Sequence, residues 1–273
     1  MTSESRRQFA DEVRADPVDL GRACLLICAE IEPDLKIAPY LGVLDDLAVH
    51  AAAEVAAAQG PAEQAAALHR ALGVQAGFGG TGTDYLELRS SLLHDVLRRR
   101  RGLPILLSVV WLEVARRLGV PAYGVATPGQ FVIGVGDPDG AHVYAHPYDG
   151  GRVLSYEQLA DVIRDTAAME LSPEHLGPAT GAEIVLRVLT NIRAFGARNG
   201  SLRTRLWAVE LSLLVPHHPV ELRRERAQLL GQLGDYLSAA VELDTYAHAV
   251  EAVDDDAAAE ARKSGQMLRA RLN

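Results

Sequence analysis

The stretch from Arg98 to Val125, RRRRGLPILLSVVWLEVARRLGVPAYGV, constrains this chain most. Between Ile105 and Leu118, apolar side chains occupy every helical face: Ile105, Leu106, Leu107, Val109, Val110, Trp111, Leu112, Val114, Ala115 and Leu118. A helix that is apolar all round belongs inside a protein. Pro104 suits its first turn, where a missing N–H costs little. Polar groups come late, at Glu113, Arg116 and Arg117, and Gly119 is a natural stop. Pro121 then forces an extended backbone, so Ala122 to Val125 reads as a strand. A buried helix feeding a strand needs a sheet on one side and other helices around it.

The flanking sequence supplies both. Residues 5–16, 18–30, 37–58 and 61 to about 72 carry apolar residues at helical spacing. Ser90 and Ser91 are placed to cap a helix over 92–100. Beyond the central helix the period shortens. Residues 122–127, 130–135 and 142–146 read as strands. The turn Asp137-Pro138-Asp139-Gly140 predicts an antiparallel hairpin between the second and third. Asp149-Gly150-Gly151 is another turn, and Ser155 with Gln158 forms a capping box for a helix. Residues 171–180 read as a linker, and helices follow over 181–198, 201–214, 218–232, 235–250 and 255–271. Within them Leu230-Gly231, Gly234-Asp235-Tyr236, Ala239-Ala240 and Leu243 match the small-residue pattern of a tetratricopeptide unit. The expected class is therefore α+β: a buried helix on a small antiparallel sheet in residues 77–170, a helical region over 1–76, and repeat-like helices over 171–273.

Charge and cysteine usage narrow the functions. The formal charge of −9 over 273 residues argues against a nucleic-acid binder, and Arg98–Arg101 reads as a solvated helix end. The glycines of residues 77–83, GFGGTGT, fit no phosphate-loop pattern. Cys24 and Cys28 lie four apart on one helix face and read as small buried hydrophobes. His142 and His146, four apart on a strand, share a face, but no third ligand of suitable spacing accompanies them. No metal or cofactor is therefore expected. His217-His218, beside two prolines, reads as a loop. The polar start predicts no secretory signal, and no apolar run is long enough to span a membrane. A cytoplasmic protein of a reducing compartment is expected.

The chain resembles the SirB1-like family, in which a transglutaminase-like (papain-like) domain precedes tetratricopeptide-like helices. The likeness is carried by Arg89 to Leu97, Arg99 to Ile105, Glu113 to Pro121, Pro128-Gly129-Gln130-Phe131, Pro147 to Arg152 and Leu186 to Ile192. Active transglutaminase-like folds use a Cys at the head of the buried helix, a His on the next strand and an Asp on the one after. Thiolate attack, proton transfer and orientation of the His are their respective tasks. The resemblance aligns these positions with Pro104, Gln130 and His146, so all three expected residues are substituted. Ser90 and His94 stand where the family favours Asn. Ser108, one turn into the helix and expected to be buried, is weighed as a replacement nucleophile.

The polar groups left to line a pocket are Gln130, His142, His146, Tyr148 and Asp149, with Arg89, Glu113 and Arg152 in support. Glu113 is expected to close an internal salt bridge with an arginine such as Arg89. His146 and Asp149 are candidates for an acid–base pair across a turn. Three functions follow. One is a non-catalytic cleft that binds a protein segment or small ligand in a regulatory or accessory role. Another is an atypical enzyme centred on His146, with Gln130 or Asp149 holding substrate, for amide hydrolysis, acyl transfer or cyclisation. The last is a tetratricopeptide-type adaptor.

Overall fold

The computed structural model describes residues 3–271. Four helices come first, α1 (Ser3–Glu12), α2 (Leu20–Cys28), α3 (Ile37–Ala57) and α4 (Pro61–Leu68). Each follows a predicted apolar stripe. Asp19 caps α2 through the Arg22 N–H, 2.8 Å away. Where α4 was expected to run on to Leu72, the backbone widens into a π-helical turn over His69–Gln75. Two short 3₁₀ turns, Gly82–Leu86 and Leu88–Ser91, lead into α5 (Leu93–Arg99). Ser90 and Ser91 are not its caps. Leu92 occupies that position without a side-chain bond, while Ser90 turns inward and donates to Asp84 Oδ1 at 3.0 Å.

The central helix is α6 (Pro104–Arg117), and every residue from Pro104 to Ala115 is buried. After it come β1 (Ala122–Val125), β2 (Val132–Gly136), β3 (His142–His146), β4 (Arg152–Leu154), α7 (Tyr156–Ala167) and β5 (Pro178–Ala179). The sheet is antiparallel throughout, in the order β4-β3-β2-β1-β5. The 137–140 turn makes the predicted hairpin, with Gly136 opposite His142. Two strands go beyond the expected three. Both are very short, and β5 sits at an edge, where Pro178 removes no needed ladder bond. It lies in the stretch expected to be a linker. Ser155 and Gln158 form the capping box of α7, which covers one sheet face with Leu159 and Ile163. The other face meets α6, whose Trp111 is fully buried.

The final helices are α8 (Gly181–Arg198), α9 (Leu202–Ser212), α10 (Glu221–Gln232), α11 (Tyr236–Val250) and α12 (Asp255–Ala270). Contacts divide the chain into two compact units, one up to Val188 and one from Leu189 on. The N-terminal helices belong to the first unit together with the sheet. In the second, Ala227, Ala247, Ala258 and Ala261 let α10, α11 and α12 approach closely around Leu243 and Tyr246.

Candidate functional site

Pro104, Ser108 and Trp111 lie on one face of α6, at spacings of four and three residues. Ser108, wholly buried, donates to the Phe131 carbonyl at 3.4 Å. This joins the first turn of the helix to the start of β2. Thr127 Oγ1 donates to the Gln130 carbonyl at 3.2 Å and closes the β1–β2 connection. Gln130 is thereby presented just before β2, and His146 ends β3 beside it. His146 Nε2 and Gln130 Oε1 are 3.4 Å apart, and each residue is only 6% exposed.

Two tyrosines border this pair. The Tyr148 ring lies 6.1 Å from the His146 ring, and Tyr85 lies 6.1 Å from Tyr148. The Tyr85 phenol also lies beside the Gln130 side chain. Buried Asp84 fixes Tyr85 by accepting from the Thr81 N–H at 2.7 Å and pairing with Arg101 at 3.3 Å. The turn after β3 is held just as firmly. Gly151 N–H donates to the His146 carbonyl, Gly80 N–H to the Tyr148 carbonyl and His69 Nδ1–H to the Gly150 carbonyl, each at 2.8 Å. Gly80 is obligatory here, since a methyl group on it would stand 1.9 Å from the Tyr148 ring.

Burial pushes the His146 pKa down. Asp149 opposes that shift and Arg152 adds to it. His146 is therefore a neutral imidazole at neutral pH. Its Nδ1, like Trp111 Nε1, is buried and has no hydrogen-bond partner among the described residues. Burial, with Tyr85 and Asp84 nearby, pushes the Tyr148 phenol up to about 12, so it stays protonated. No thiol reaches the site. Cys24 and Cys28 are buried in α2, Cys28 Sγ donates to the Cys24 carbonyl at 3.1 Å, and burial raises both thiols, Cys28 to about 12. The cluster can hydrogen-bond a planar polar group between aromatic walls. It offers no thiolate.

Of the residues singled out from sequence, Gln130, His146 and Tyr148 come together, and the others have different partners. Arg89 is exposed and pairs with Glu87 at 2.9 Å. Glu113 does close an internal salt bridge, but with Arg116 and Arg117, because residues three and four along the same helix face it directly. His142 sits at the far end of β3, bonded to the Asp137 and Gly140 carbonyls. Asp149 forms no pair with His146; it accepts from Arg152 Nε at 2.6 Å in solvent. No group of three or more metal-ligating side chains is assembled among the described residues. Tyr85, Asp84, His69 and Trp111 were missed. The one legible signal was Thr81-x-x-Asp84, which folds as a capping box. The basic run is a clamp more than a solvated end: Arg99 pairs with Glu87, Arg100 with the Ala76 carbonyl and Arg101 with Asp84.

The second unit has a groove of its own, about 520 Å³, lined by Arg224, Gln228, Leu243, Tyr246, Glu260 and Arg271 among others. No helix among the described residues is long and apolar enough to cross a membrane.

Comparison with known proteins gives these features a lineage. A model of the transglutaminase-like superfamily matches residues 38–190, and a tetratricopeptide repeat model matches 192–272. A UPF0162 protein of Xylella fastidiosa is 32% identical over 237 residues, covering 85% of this chain and 84% of its own length. A UPF0162 protein of Pseudomonas aeruginosa is 32% identical over 198 residues, 72% of each chain. Human F-box only protein 21 is 28% identical over 167 residues, 58% of this chain and 26% of its own. No solved structure matches. With the superfamily's model running from α3 through the sheet into α8, this chain belongs to the transglutaminase-like superfamily, with tetratricopeptide repeats after its core.

Proposed function

We propose that this is a transglutaminase-like protein without thiol chemistry, SirB1-like in descent, whose cleft binds a protein segment or small ligand in an accessory or regulatory role. One observation supports the reading: buried Pro104 heads α6 and Gln130 pairs with His146, the three places that the resemblance drawn from sequence assigns to the nucleophile, the base and its orienting carboxylate. Gln130 cannot accept a proton from a nucleophile, and among the described residues no hydroxyl or thiol is hydrogen-bonded to His146. The repeat helices supply a second surface of a kind that commonly serves protein interaction. Two unpaired cysteines are consistent with work in the cytoplasm.

The test is turnover. The full chain is assayed on activated esters and peptide amides, with and without His146→Gln, and alkylated with iodoacetamide in the native state. The expected result is no burst, no His146-dependent turnover and no alkylation until the chain unfolds. A rate that His146→Gln abolishes would favour the competing reading of a rebuilt, His146-centred enzyme. One feature speaks for that competitor: His146 is kept neutral and retains an unpartnered ring nitrogen able to take a proton.

A further inference from the structure

Arg187 is the charged side chain of the first unit that the packing leaves unexplained. Each other described arginine up to Val188 has an ion pair or, like Arg14 and Arg100, donates to a backbone carbonyl. Arg187 is half-buried, and no carboxylate among the described residues pairs with it. A guanidinium withdrawn from water without a partner costs free energy unless something else meets it. Its place in the fold says where that partner would be. Ile184 and Phe131 both close over Gly124, where a methyl group would stand 2.9 Å from Ile184 Cδ1 and 2.7 Å from Phe131 Cζ. Arg187 follows Ile184 by three residues and shares its face of α8. Phe131 follows Gln130 directly. The Arg187 charge is felt at the phenol of Tyr85, which lies beside Gln130.

We infer that Arg187, with Gln130 and the Tyr85–Tyr148 rim, forms a carboxylate-binding site, so that the ligand of the cleft is an acidic peptide segment. A guanidinium fork matches the planar, singly charged carboxylate, and the neutral Gln130 and Tyr85 groups add hydrogen bonds without charge. A dianion is disfavoured, because one guanidinium with the neutral Gln130 and Tyr85 offers a single positive charge. The inference rests on the binding role proposed above and adds the ligand's chemistry.

Benzoate is the probe, with benzamide as its uncharged counterpart and phenyl phosphate as the dianion. Binding to the full chain is followed by NMR at the His146 imidazole and the Gln130 side-chain amide, in the native protein and in Arg187→Gln and Arg187→Lys. Arg70→Gln, which breaks only an exposed ion pair with Glu54, is the control. Benzoate should shift both signals saturably in the millimolar range, and Arg187→Gln should weaken it about tenfold, with Arg187→Lys in between. N-acetylglutamate α-amide and N-acetylphenylalanine carry a side-chain and a terminal carboxylate; the tighter competitor names which kind is read. The inference is overturned by equal affinity for benzamide, by unchanged benzoate binding in Arg187→Gln, by tighter binding of phenyl phosphate, or by no saturable shift. Failure of both acetylated amino acids to compete overturns the peptide assignment. If Arg187→Gln does not fold, benzoate against benzamide on the native chain still decides. Benzoate binding alongside His146-dependent turnover would reject the non-catalytic reading and leave the carboxylate site standing.

Discussion

The two units solve the problem of packing in opposite ways. Up to Val188, large apolar side chains press against one helix, with Trp111 at 0% exposure and Glu113 the lone charge buried on α6. From Leu189 on, alanines such as Ala227, Ala239, Ala240, Ala247, Ala258 and Ala261 recur among the buried leucines and valines, and arginines brace the helices from outside. Glu225 joins Arg193 of α8 to Arg205 of α9, and Arg226 joins Glu210 to Glu242. Where shape does the holding, truncation is costly. Where small residues leave the work to spaced ion pairs, each contact is partly exposed and worth less. Trp111→Ala should therefore have the largest effect of any single substitution, a loss of about 3–5 kcal/mol. Hydrogen exchange of the α6 amides measures it; protection unchanged in α6 would break the contrast.

A pair of bridging carboxylates sharpens it. Glu113 is 2% exposed and held by two arginines of its own helix, while Glu225 is 17% exposed and held by two other helices. Glu113→Ala should cost about 3 kcal/mol, since Arg117, 15% exposed, loses its inner partner and a gap opens in the buried face of α6, though Asp19 and Asp45 still hold the two arginines. Glu225→Ala should cost about 1–2 kcal/mol, because the carboxylate it removes already sits where water reaches it. Denaturant midpoints of the two variants give the order, and a reversed order would show that the second unit leans on its ion pairs more than exposure implies.

His146 adds a pH dependence to the first unit. Burial holds its folded pKa below the ordinary 6.5, so between those two values the unfolded chain binds more protons than the folded one. Its contribution is fully present above the ordinary value, is lost as pH falls towards the folded one, and is constant below that. The slope from one such group is at most about 1.4 kcal/mol per pH unit. His146→Gln should flatten the profile in that window, and urea unfolding from neutral to mildly acidic pH checks it.

What was legible in the sequence follows the same divide. The central helix declared itself through Ile105 to Leu118, and the hairpin through Asp137 to Gly140, because burial and turn chemistry act locally. Gln130 and His146 could be placed near each other from strand order alone. Tyr85 could not, since its position depends on Asp84 reaching Ser90, Thr81 and Arg101 across a loop of 3₁₀ turns. Glu113 failed differently: the expected partner lay 24 positions back, at Arg89, when two candidates stood within one turn. β4 and β5 were missed because strands of two or three residues carry no periodicity.

Arg89 and Arg99 turn that lesson into the smallest prediction. Both pair with Glu87, and sequence alone favoured Arg89 as the one supporting the site. Arg89 is 56% exposed at its side chain and pairs with no other carboxylate among the described residues, so Arg89→Ala leaves Glu87 still paired with Arg99. Arg99 is 20% exposed and also reaches towards Asp84, which is fully buried, and Ser90 Oγ at 3.4 Å. Removing it leaves a buried carboxylate relying on Arg101 and loosens the loop that carries Tyr85. The midpoint of Arg89→Ala should match the parent chain, and that of Arg99→Ala should fall, with the Tyr85 ring signals broadening in NMR. Equal effects from the two would mean that exposure does not rank these pairs, and the contrast between buried and braced packing would lose its physical basis.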